Sequence, residues 1–307
     1  NRPNAYTTSY TAEDISDYLF LNPNTVVVQR INNSDEAHAE DSGYNRRVLD
    51  NNELADSTVF VSSFIKGLII SHGFNNDKPH VIIHTGADED IFNSSGRAIW
   101  RPGEKMKIVT HHWSSNTMKG IDVYERLDLL LGEKRFGKYF EFAYVGNLPL
   151  GFEFRNTRVV SLLHGQELAN NLKEHHAYIT GARYEAGGNH YIEAMRCGLP
   201  VLYLGSGSTG EYCSRYGGVE FNPVNFEEKL LEFRRVYPEL REKVLQCPFS
   251  AIWMAVQYEE IFTRLVAWRR EYPRPKPGTA KVIHHYAYSY GKKINSLRRA
   301  LFQKLAT

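Results

Sequence analysis

Two glutamates, Glu185 and Glu193, flank a pair of glycines in the segment Ala177–Glu211. Seven residues separate the glutamates, and Gly187 and Gly188 let the backbone turn sharply and approach a ligand. The segment is predicted to run strand, loop, helix, strand and glycine-rich loop, with Glu185 before the helix and Glu193 one turn inside it. Carboxylates accept hydrogen bonds at both oxygens. A pair at different depths of one crevice therefore suits two vicinal diols, one on a sugar and one on a ribose.

Main-chain amides near this pair are a second source of polar contacts. Asn189 and His190 open the predicted helix, so their free N–H groups and the positive end of the helix dipole suit hydroxyl or phosphate oxygens. The amides of the glycine-rich loop that can cradle a diphosphate belong to Ser208, Thr209 and Gly210. Glu211 follows and has two interpretations, a ligand contact or an acid in the first turn of the next helix.

The same loop contains a pattern from another class of protein. Gly205, Gly207 and Gly210 spell GxGxxG after a predicted strand, as in dinucleotide-binding proteins. That fingerprint occupies the first βαβ unit of its domain and is followed by an acid about 20 residues later. Here the pattern lies late and Glu220 follows too soon. A nicotinamide or flavin is therefore disfavoured, and we expect no cofactor.

Short β-branched runs alternate with amphipathic helical stretches, and these elements must position the loops. The predicted strands are Thr25–Ile31, Thr58–Ser62, Val81–His84, Lys107–His111, Phe142–Val145, Arg158–Leu162, Ala177–Thr180, Pro200–Leu204 and Val219–Phe221. The predicted helices include Ala12–Phe20, Asn45–Leu54, Gly120–Leu131, Glu167–His175, Asn189–Arg196, Phe226–Gln246 and Ser250–Glu271. Such alternation forms βαβ units, so the predicted fold class is α/β with parallel, doubly wound sheets.

One stretch interrupts the alternation, between about Gly86 and Glu104. It is rich in Gly, Ser, Asn and Pro, which is typical of an inter-domain connection. The residues before it are fewer than a full Rossmann-like domain needs, whereas residues 105–249 suffice for one. Because the sequence starts at Asn1 without a Met, we expect it to begin partway into a longer protein.

Composition and charge disfavour several classes. With 42% apolar and 23% charged residues the chain resembles a soluble globular protein, and no run approaches the roughly 20 apolar residues of a membrane span. A formal charge of +2 is compatible with an anionic or an uncharged ligand, and we expect no nucleic-acid partner. Cys197, Cys213 and Cys247 form no CxxC pair, which argues against a zinc knuckle and favours reduced thiols in the cytoplasm.

Together with Glu185, the run EAMRCGLPVLYLGSGSTGEYC at Glu193–Cys213 resembles the E-x7-E donor-site signature of retaining GT-B glycosyltransferases, particularly family 4. The resemblance implies two Rossmann-like domains that face each other across a crevice. The first would bind a carbohydrate or glycolipid acceptor, and the second a nucleoside-diphosphate sugar. It further implies that Glu185 orients the transferred sugar and that Glu193 holds the nucleotide ribose.

A strand-to-helix turn, KIVTHHWSSNTMKG at residues 107–120, extends the resemblance. In the family this turn carries an arginine and a lysine that hold the donor diphosphate. Lys119 stands at the lysine position, whereas Ser114 stands at the arginine position and departs from the pattern. The resemblance implies that Lys119 stabilises the leaving phosphate and that main-chain amides partly compensate for the missing arginine, those of Ser114, Ser115 and Asn116.

Weaker matches extend the resemblance over roughly Ala55–Leu265. They comprise the last acceptor-domain strand, the inter-domain hinge, a second donor-domain strand and the crossover helix, at Ala55–Phe64, Val81–Phe92, Phe140–Asn147 and Phe249–Leu265. The implied organisation is the last part of an acceptor domain, a connection, a donor domain, the crossover helix and a basic tail, at residues 1–85, 86–104, 105–249, 250–271 and 272–307.

The implied reaction transfers a sugar to an acceptor hydroxyl with retention at the anomeric carbon, and the leaving phosphate itself takes the acceptor proton. Glu185 is therefore not assigned as a nucleophile. Candidate acceptor contacts follow the Thr25–Ile31 strand at its carboxyl end, where α/β sheets place ligands: Arg30, Asn32, Asp35 and Glu36. A plain polar loop is the alternative interpretation of these four residues. His112, at the predicted crevice edge, is a further candidate for a donor or acceptor contact.

Other functions stay open. A nucleotide-sugar epimerase or a sugar phosphorylase would use the same architecture, as would a catalytically inactive GT-B module for carbohydrate binding or assembly. The run Asp88–Asp90 is formally a metal-binding DxD motif, but it lies in the connection, so we expect no metal.

The end of the chain is basic: from Arg269 onward it has ten Lys and Arg residues and one acid, Glu271. This tail is either solvated or docked on a domain, or it contacts an anionic membrane surface peripherally.

Overall fold

Two parallel sheets organise the chain, which a computed structural model describes for residues 12–39 and 41–275. The first sheet has the order β1-β2-β3, with β1 at Val28–Ile31, β2 at Ser57–Phe60 and β3 at His80–Ile82. The helices of this part are α1 at Ala12–Leu21, α2 at Tyr44–Asn52 and α3 at Ser63–Ser71. Buried side chains of β1, β2, α2 and α3 form its core, including Ile31, Val48, Phe60, Ile65 and Ile69.

The second sheet has six parallel strands in the order β6-β5-β4-β7-β8-β9. These are β4 at Met106–His112, β5 at Phe140–Gly146, β6 at Arg158–Val160, β7 at Ala177–Thr180, β8 at Val201–Leu204 and β9 at Gly218–Phe221. The helices that follow β4 are α4 at Ile121–Gly132, α5 at Lys134–Gly137, α6 at Gly165–Lys173, α7 at Asn189–Arg196, α8 at Thr209–Cys213, α9 at Phe226–Lys243 and α10 at Ala251–Glu271.

Alternate side chains of the central strands enter two separate cores. Ile108 and Ile179 pack on one face of the second sheet, whereas Val109 and Tyr178 pack on the other. Because successive residues of a strand point to opposite faces, this division requires an apolar layer on both sides. Parallel sheets covered by helices on both faces show this pattern, and it explains why the central strands are almost uninterrupted apolar runs.

The strand order places a crevice between β4 and β7. Chain order in the second sheet runs outward from β4 through β5 to β6, and then restarts at β7 on the other side of β4. At such a switch point the loops that leave neighbouring strands diverge and leave room for a ligand beyond the carboxyl ends. The two loops concerned are the turn at residues 113–120 and the loop at residues 181–188.

Helix α10 returns from the second part of the chain to the first sheet. It starts at the capping residue Ser250, whose hydroxyl accepts from the amide of Trp253, and Ser250 also pairs with Ala87 in an isolated bridge. Farther along the helix, Ile261 and its neighbours pack against one face of the first sheet, where they contact Val28, Val59, Val81 and Ile83. One long helix therefore links the two sheets.

The predicted α/β fold class with parallel, doubly wound sheets is confirmed. All nine predicted strands are present, with ends shifted by at most three residues, and the predicted helices are present as well. The sequence prediction missed α3 and α5, and it anticipated α8 only as the helix that follows the glycine-rich loop, without a range. No helix in the described part of the chain is long and apolar enough to cross a bilayer. The predicted basic tail lies almost entirely outside the described residues.

Gly120 gives a test of how closely the two crevice loops must approach. It has a φ of +88°, and a Cβ added there would lie 2.4 Å from the carbonyl carbon and oxygen of Gly181. We expect Gly120→Ala to lower the free energy of unfolding by about 2 to 4 kcal/mol, because it combines a left-handed backbone with a main-chain clash. Chemical denaturation measures this cost.

Gly96→Ala is the matched control for Gly120→Ala. Gly96 also has a left-handed φ, +74°, but an added Cβ there meets nothing within 4 Å. Its substitution should therefore cost only the backbone strain, about 1 kcal/mol. Equal losses in the two variants would contradict the close approach of the two crevice loops.

Candidate functional site

The two crevice loops meet in an ion pair. Lys119 ends a short 3-10 turn after β4, and its Nζ donates to Oε2 of Glu185 at 2.7 Å. Asn116 caps this turn by accepting the amide of Met118, while the amide of Arg183 donates to the carbonyl of Met118. Main-chain contacts therefore hold the loops together and fix the separation at which Lys119 and Glu185 pair.

Glu193 occupies the same crevice from the helix side. It lies on α7, and its Oε2 accepts from Nε2 of His111 at 2.9 Å. The hydroxyl of Tyr178 accepts from the amide of His111 and so fixes the end of β4. The side chain of Glu193 is only 20% exposed, yet it reaches the cavity wall. Both predicted carboxylates therefore face one space.

That space is a cavity of about 1020 Å³ between the two sheets. Its volume suits a ligand of drug size or larger. Twelve of the sequence-predicted site residues line it: Arg30, Asn32, His112, Ser114, Asn116, Lys119, Glu185, Gly187, Gly188, Asn189, His190 and Glu193. The structure thus brings residues from the first sheet and from both loops of the second sheet to one surface.

The glycine pair is required by close packing. A Cβ added at Gly188 would lie 2.7 Å from the ring of His190 and 2.8 Å from Cγ of Glu185. One added at Gly187 would lie 2.9 Å from the hydroxyl of Tyr212. Side chains at either position would displace Glu185 or push the two parts of the chain apart. The glycines therefore keep the loop narrow where a ligand approaches.

The residue directly before Glu185 has a strained backbone conformation. Tyr184 has a φ of +51°, a left-handed conformation that is uncommon outside glycine, and its ring lies 6.4 Å from that of Phe64 across the cleft. Such strain is concentrated at functional sites, where the surrounding contacts hold it. Nothing in the local sequence pattern indicates it.

Two of the cavity-wall histidines stay neutral at physiological pH. Burial is the main cause that lowers the pKa of His112 and of His190 well below the usual value, and the positive charge of Lys119 lowers both further. Their rings lie 4.8 Å apart, and Nε2 of His112 pairs with the hydroxyl of Tyr124 at 2.7 Å. These imidazoles provide neutral hydrogen-bonding groups and no positive charge.

The glycine-rich loop has a different position from the predicted one. Ser208 and Thr209 are fully buried, and the amide of Ser208 already donates to the carbonyl of Glu185 at 2.8 Å. The hydroxyl of Thr209 donates to main-chain carbonyls within its own loop. The prediction that the Ser208 amide binds a diphosphate is therefore corrected: Ser208 supports the Glu185 loop. Gly210 and the exposed Ser115 also lie outside the cavity wall.

Glu211 lies outside the cavity and joins the two parts of the chain. Its carboxylate accepts from the amide of Ser63 at 2.8 Å, at the start of α3, and from Nε2 of His84 at 2.7 Å. Burial raises the pKa of Glu211, but the hydrogen bonds from His84 and Ser63 outweigh burial and lower it overall. Glu211 therefore lies in the first turn of α8, as the second of its two interpretations predicted, and its carboxylate bonds to the first part of the chain and does not line the cavity.

Further hydrogen bonds across the cleft were missed by the sequence prediction. The hydroxyl of Tyr212 donates to the carbonyl of Val61 at 2.6 Å and accepts from the amide of Thr85 at 2.9 Å. The hydroxyl of Ser62 donates to the carbonyl of Ala186 at 2.5 Å. These partners are more than a hundred residues apart in sequence, so no local motif reports them.

Asp35 and Glu36 are also placed away from the cavity. Asp35 accepts from the amides of Tyr44 and Asn45 at the start of α2, and Glu36 accepts from the side chains of Asn45 and His72. Carboxylates at a helix start are stabilised by its free amides and its dipole. The interpretation of these two acids as acceptor contacts is therefore corrected: Asp35 caps α2, and Glu36 pairs with the polar side chains of Asn45 and His72. Their neighbours Arg30 and Asn32 do line the cavity.

The DxD-like run has a structural role as well. Glu89 accepts from the amide of Ala251 at 3.1 Å, which is the first residue of α10. Asp88 accepts from the amide of Asp90 at 3.0 Å, within the same turn. The acids of this run therefore stabilise the connection and the start of the long helix.

Comparisons with known proteins identify the fold. No protein-family model matches the chain, and no curated protein matches it. Among solved structures, a sucrose-phosphate synthase from Thermosynechococcus elongatus is 17% identical, with a TM-score of 0.60 over 78% of this chain and 68% of that one. A glycosyltransferase from Rickettsia africae is 15% identical, with a TM-score of 0.58 over 85% of this chain and 83% of that one.

A third similar structure is HepE from Anabaena in complex with UDP and glucose. It is 13% identical, with a TM-score of 0.62 over 82% of this chain and 76% of that one. These similar structures are GT-B glycosyltransferases, and the chain has their α/β fold with two Rossmann-like parts.

The Glu211 contact predicts a pH-dependent stability. Because the folded-state pKa of Glu211 lies below its ordinary value of 4.5, its contribution is complete above that value and is lost as the pH falls through the folded-state pKa. We expect Glu211→Gln to lower the free energy of unfolding by about 1 to 3 kcal/mol at pH 7 and by progressively less as the pH falls through the folded-state pKa of Glu211. Denaturant titrations at several pH values measure the difference.

Glu259→Gln is the matched control for Glu211→Gln, since Glu259 is exposed on α10. It should unfold like the wild type at every pH. A loss for Glu211→Gln that does not shrink with acid would show that its charge is not responsible.

Proposed function

We propose that this protein is a retaining glycosyltransferase that transfers a sugar, of hexosyl type, from a nucleoside diphosphate to an acceptor hydroxyl. The observation that carries the proposal is the convergence of Lys119, Glu185 and Glu193 on one cavity at the switch point of a GT-B fold. The resemblance of the Glu185–Glu193 spacing to family 4 supports the assignment to retaining enzymes. HepE, which is bound to UDP and glucose, supports a nucleoside-diphosphate sugar as the donor.

In the proposed mechanism the bond between the anomeric carbon and the diphosphate oxygen breaks as the acceptor oxygen attacks on the same face. The acceptor proton passes to the departing phosphate oxygen, so no enzyme nucleophile is needed. Lys119 stabilises the negative charge that grows on that oxygen. Glu185 accepts hydrogen bonds from the sugar hydroxyls, and Glu193 accepts those of the ribose.

The free protein already has these groups in place. Glu185 holds the ammonium of Lys119 at 2.7 Å, so the cation is positioned at the crevice before a donor arrives. His111 holds Glu193 in the same way from β4. Preorganised groups of this kind lower the barrier because they need not reorient during the reaction. His112 and His190 are neutral, so they complete the polar wall of the cavity without adding positive charge near the phosphate.

We place the reaction in glycan or glycoconjugate synthesis in the cytoplasm, with a carbohydrate or glycolipid acceptor. The candidate acceptor contacts at the cavity are Arg30, Asn32 and His112. A catalytically inactive carbohydrate-binding module is the second candidate, because Ser114 replaces the arginine of the family pattern. A transfer assay separates the two functions, since an inactive module would bind the nucleotide and form no product.

Nucleotide binding is the first test. A thermal-shift panel of nucleoside diphosphates and their sugars should stabilise the protein with at least one base, since binding to the folded state raises the melting temperature. NMR of the product should then show the anomeric configuration of the donor. An inverted product would exclude retention. Stabilisation by none of the ligands would exclude the donor site.

Variants at the three key residues give separate signatures. Lys119→Ala should lower kcat roughly 100-fold or more, because charge on the leaving group is no longer stabilised. Glu193→Gln should raise the donor KM about 10- to 100-fold through weaker bonds to the ribose. Glu185→Gln should mainly lower kcat. Steady-state kinetics separate these effects.

The exposed variant Glu259→Gln again serves as the control and should have wild-type kinetics. Wild-type rates in all three site variants would remove this site from the mechanism.

A further inference from the structure

Arg30 is a cation at the cavity that no acid neutralises. It belongs to β1, it is half-buried, and its side chain lines the cavity. Its Nη2 donates to the hydroxyl of Thr85 at 3.1 Å. In the described part of the chain Arg30 forms no ion pair, whereas the other arginine or lysine on the cavity wall, Lys119, is paired with Glu185.

The tyrosines around Arg30 are neutral. Burial raises the pKa of Tyr44, Tyr212 and Tyr258, and the positive charge of Arg30, which opposes that rise in all three, does not cancel it. These phenols therefore stay protonated at physiological pH. The carboxylate of the nearby Asp35 already accepts hydrogen bonds from the amides of Tyr44 and Asn45 at the start of α2. A half-buried charge surrounded by hydroxyl groups lacks the compensation that buried charges usually have.

Arg30 also lies beside the glycine loop of the second sheet. A Cβ added at Gly187 would be 3.4 Å from Oγ1 of Thr85, the same oxygen that accepts from Arg30. The guanidinium is therefore close to the loop that carries Glu185, although it comes from the opposite side of the cleft. Arg30 and Gly187 both line the cavity.

We propose that Arg30 binds a phosphate group of the substrate, across the cleft from Lys119. The choice of phosphate rests on the proposed function, in which a diphosphate occupies this cavity. A planar guanidinium with free donors matches phosphate oxygens in a bidentate manner. If the phosphate is that of the donor, Arg30 supplies the second cation that the turn after β4 lacks, since Ser114 stands where the family pattern has an arginine.

The phosphate has two possible sources with the same chemistry, the donor diphosphate or a phosphorylated acceptor. Calorimetric or thermal-shift titration with inorganic phosphate at constant ionic strength tests the site itself. Titration with the best nucleoside diphosphate of the panel, compared with the corresponding nucleoside, tests the donor as the source. A sugar phosphate used as acceptor tests the other source.

We expect Arg30→Gln to weaken inorganic phosphate binding roughly 10- to 100-fold. Arg30→Lys should have an intermediate effect because it keeps the charge and loses the planar fork. Without ligand, the melting temperature of Arg30→Gln should equal or exceed that of the wild type, since an uncompensated charge is removed. A purely structural arginine would instead destabilise the free protein when replaced.

The matched control is Arg264→Gln, at an exposed arginine of α10. It should bind phosphate like the wild type. If Arg30→Gln weakens the nucleoside diphosphate but not the nucleoside, the donor is the source; if it raises only the KM for the sugar phosphate, the acceptor is. Both results support the proposal, whereas equal phosphate affinity in Arg30→Gln and Arg264→Gln overturns it.

The titrations also separate this proposal from the proposed function. Loss of phosphate binding in Arg30→Gln, in a protein that no nucleoside diphosphate or its sugar stabilises, would support the Arg30 site and reject the transferase. Retaining transfer with unchanged phosphate affinity in Arg30→Gln would support the transferase and reject the Arg30 site.

Discussion

The ion pair between Lys119 and Glu185 is the contact on which the site depends. It joins two loops that leave neighbouring strands, β4 and β7, in opposite directions. Parallel strands end at the same edge of a sheet, and only at the point where chain order reverses do two such loops leave an open crevice between them. The pair spans that crevice, and both residues line the cavity. Gly120 and Gly181 allow the approach, because a side chain at Gly120 would meet the main chain of Gly181, and one at Gly181 would meet Val123 at the start of α4.

The contacts between the two parts of the chain define the cavity from the other side. Glu211 caps α3, and Tyr212 bonds to both Val61 and Thr85, so the start of α8 is tied to the first sheet. Just upstream, the amide of Ser208 donates to the carbonyl of Glu185. The loop that carries Glu185 is therefore held by residues 208–212, which are themselves bonded to the first part of the chain. Movement of the first part relative to the second would change the contacts around Glu185 even if the conformation of its own loop stayed the same.

The sequence predicts the fold well because the strand signal is strong and local. Apolar runs such as Val201–Leu204 are buried on both faces, and their length distinguishes them from helices. The missed helix α3 shows the limit of this signal. Its sequence, SFIKGLIIS, continues the apolar run of β2, and the hydroxyl of Ser62, which caps it, is the only local indication of a helix start. Helix α8, with five residues, is too short to show a period.

The site was predicted in part for a related reason. Glu185, Glu193 and Lys119 belong to motifs whose spacing implies their position on the fold. The roles of Glu211 and Asp35 depend on which distant amides need an acceptor, and the amide of Ser63 is 148 residues from Glu211. A carboxylate near a predicted ligand site looks the same in sequence whether it binds a substrate or caps a helix. Only the tertiary contacts distinguish these two roles, since an acid that caps a helix already accepts hydrogen bonds from the helix amides before any ligand binds.

The charges on the cavity wall connect these observations. Lys119 is paired with Glu185 in the free protein, and His112 and His190 are kept neutral by burial, whereas Arg30, in the described part of the chain, forms no ion pair. If the diphosphate draws on both Lys119 and Arg30, its binding requires groups from both sheets at once. The substitution of serine for arginine in the turn after β4 would then move part of the phosphate-binding energy to the opposite side of the cleft. Binding energy placed on opposite sides of a cleft favours the closed arrangement, because only that arrangement makes both contacts. The protein would thereby couple occupation of the site to exclusion of water from the reacting centre.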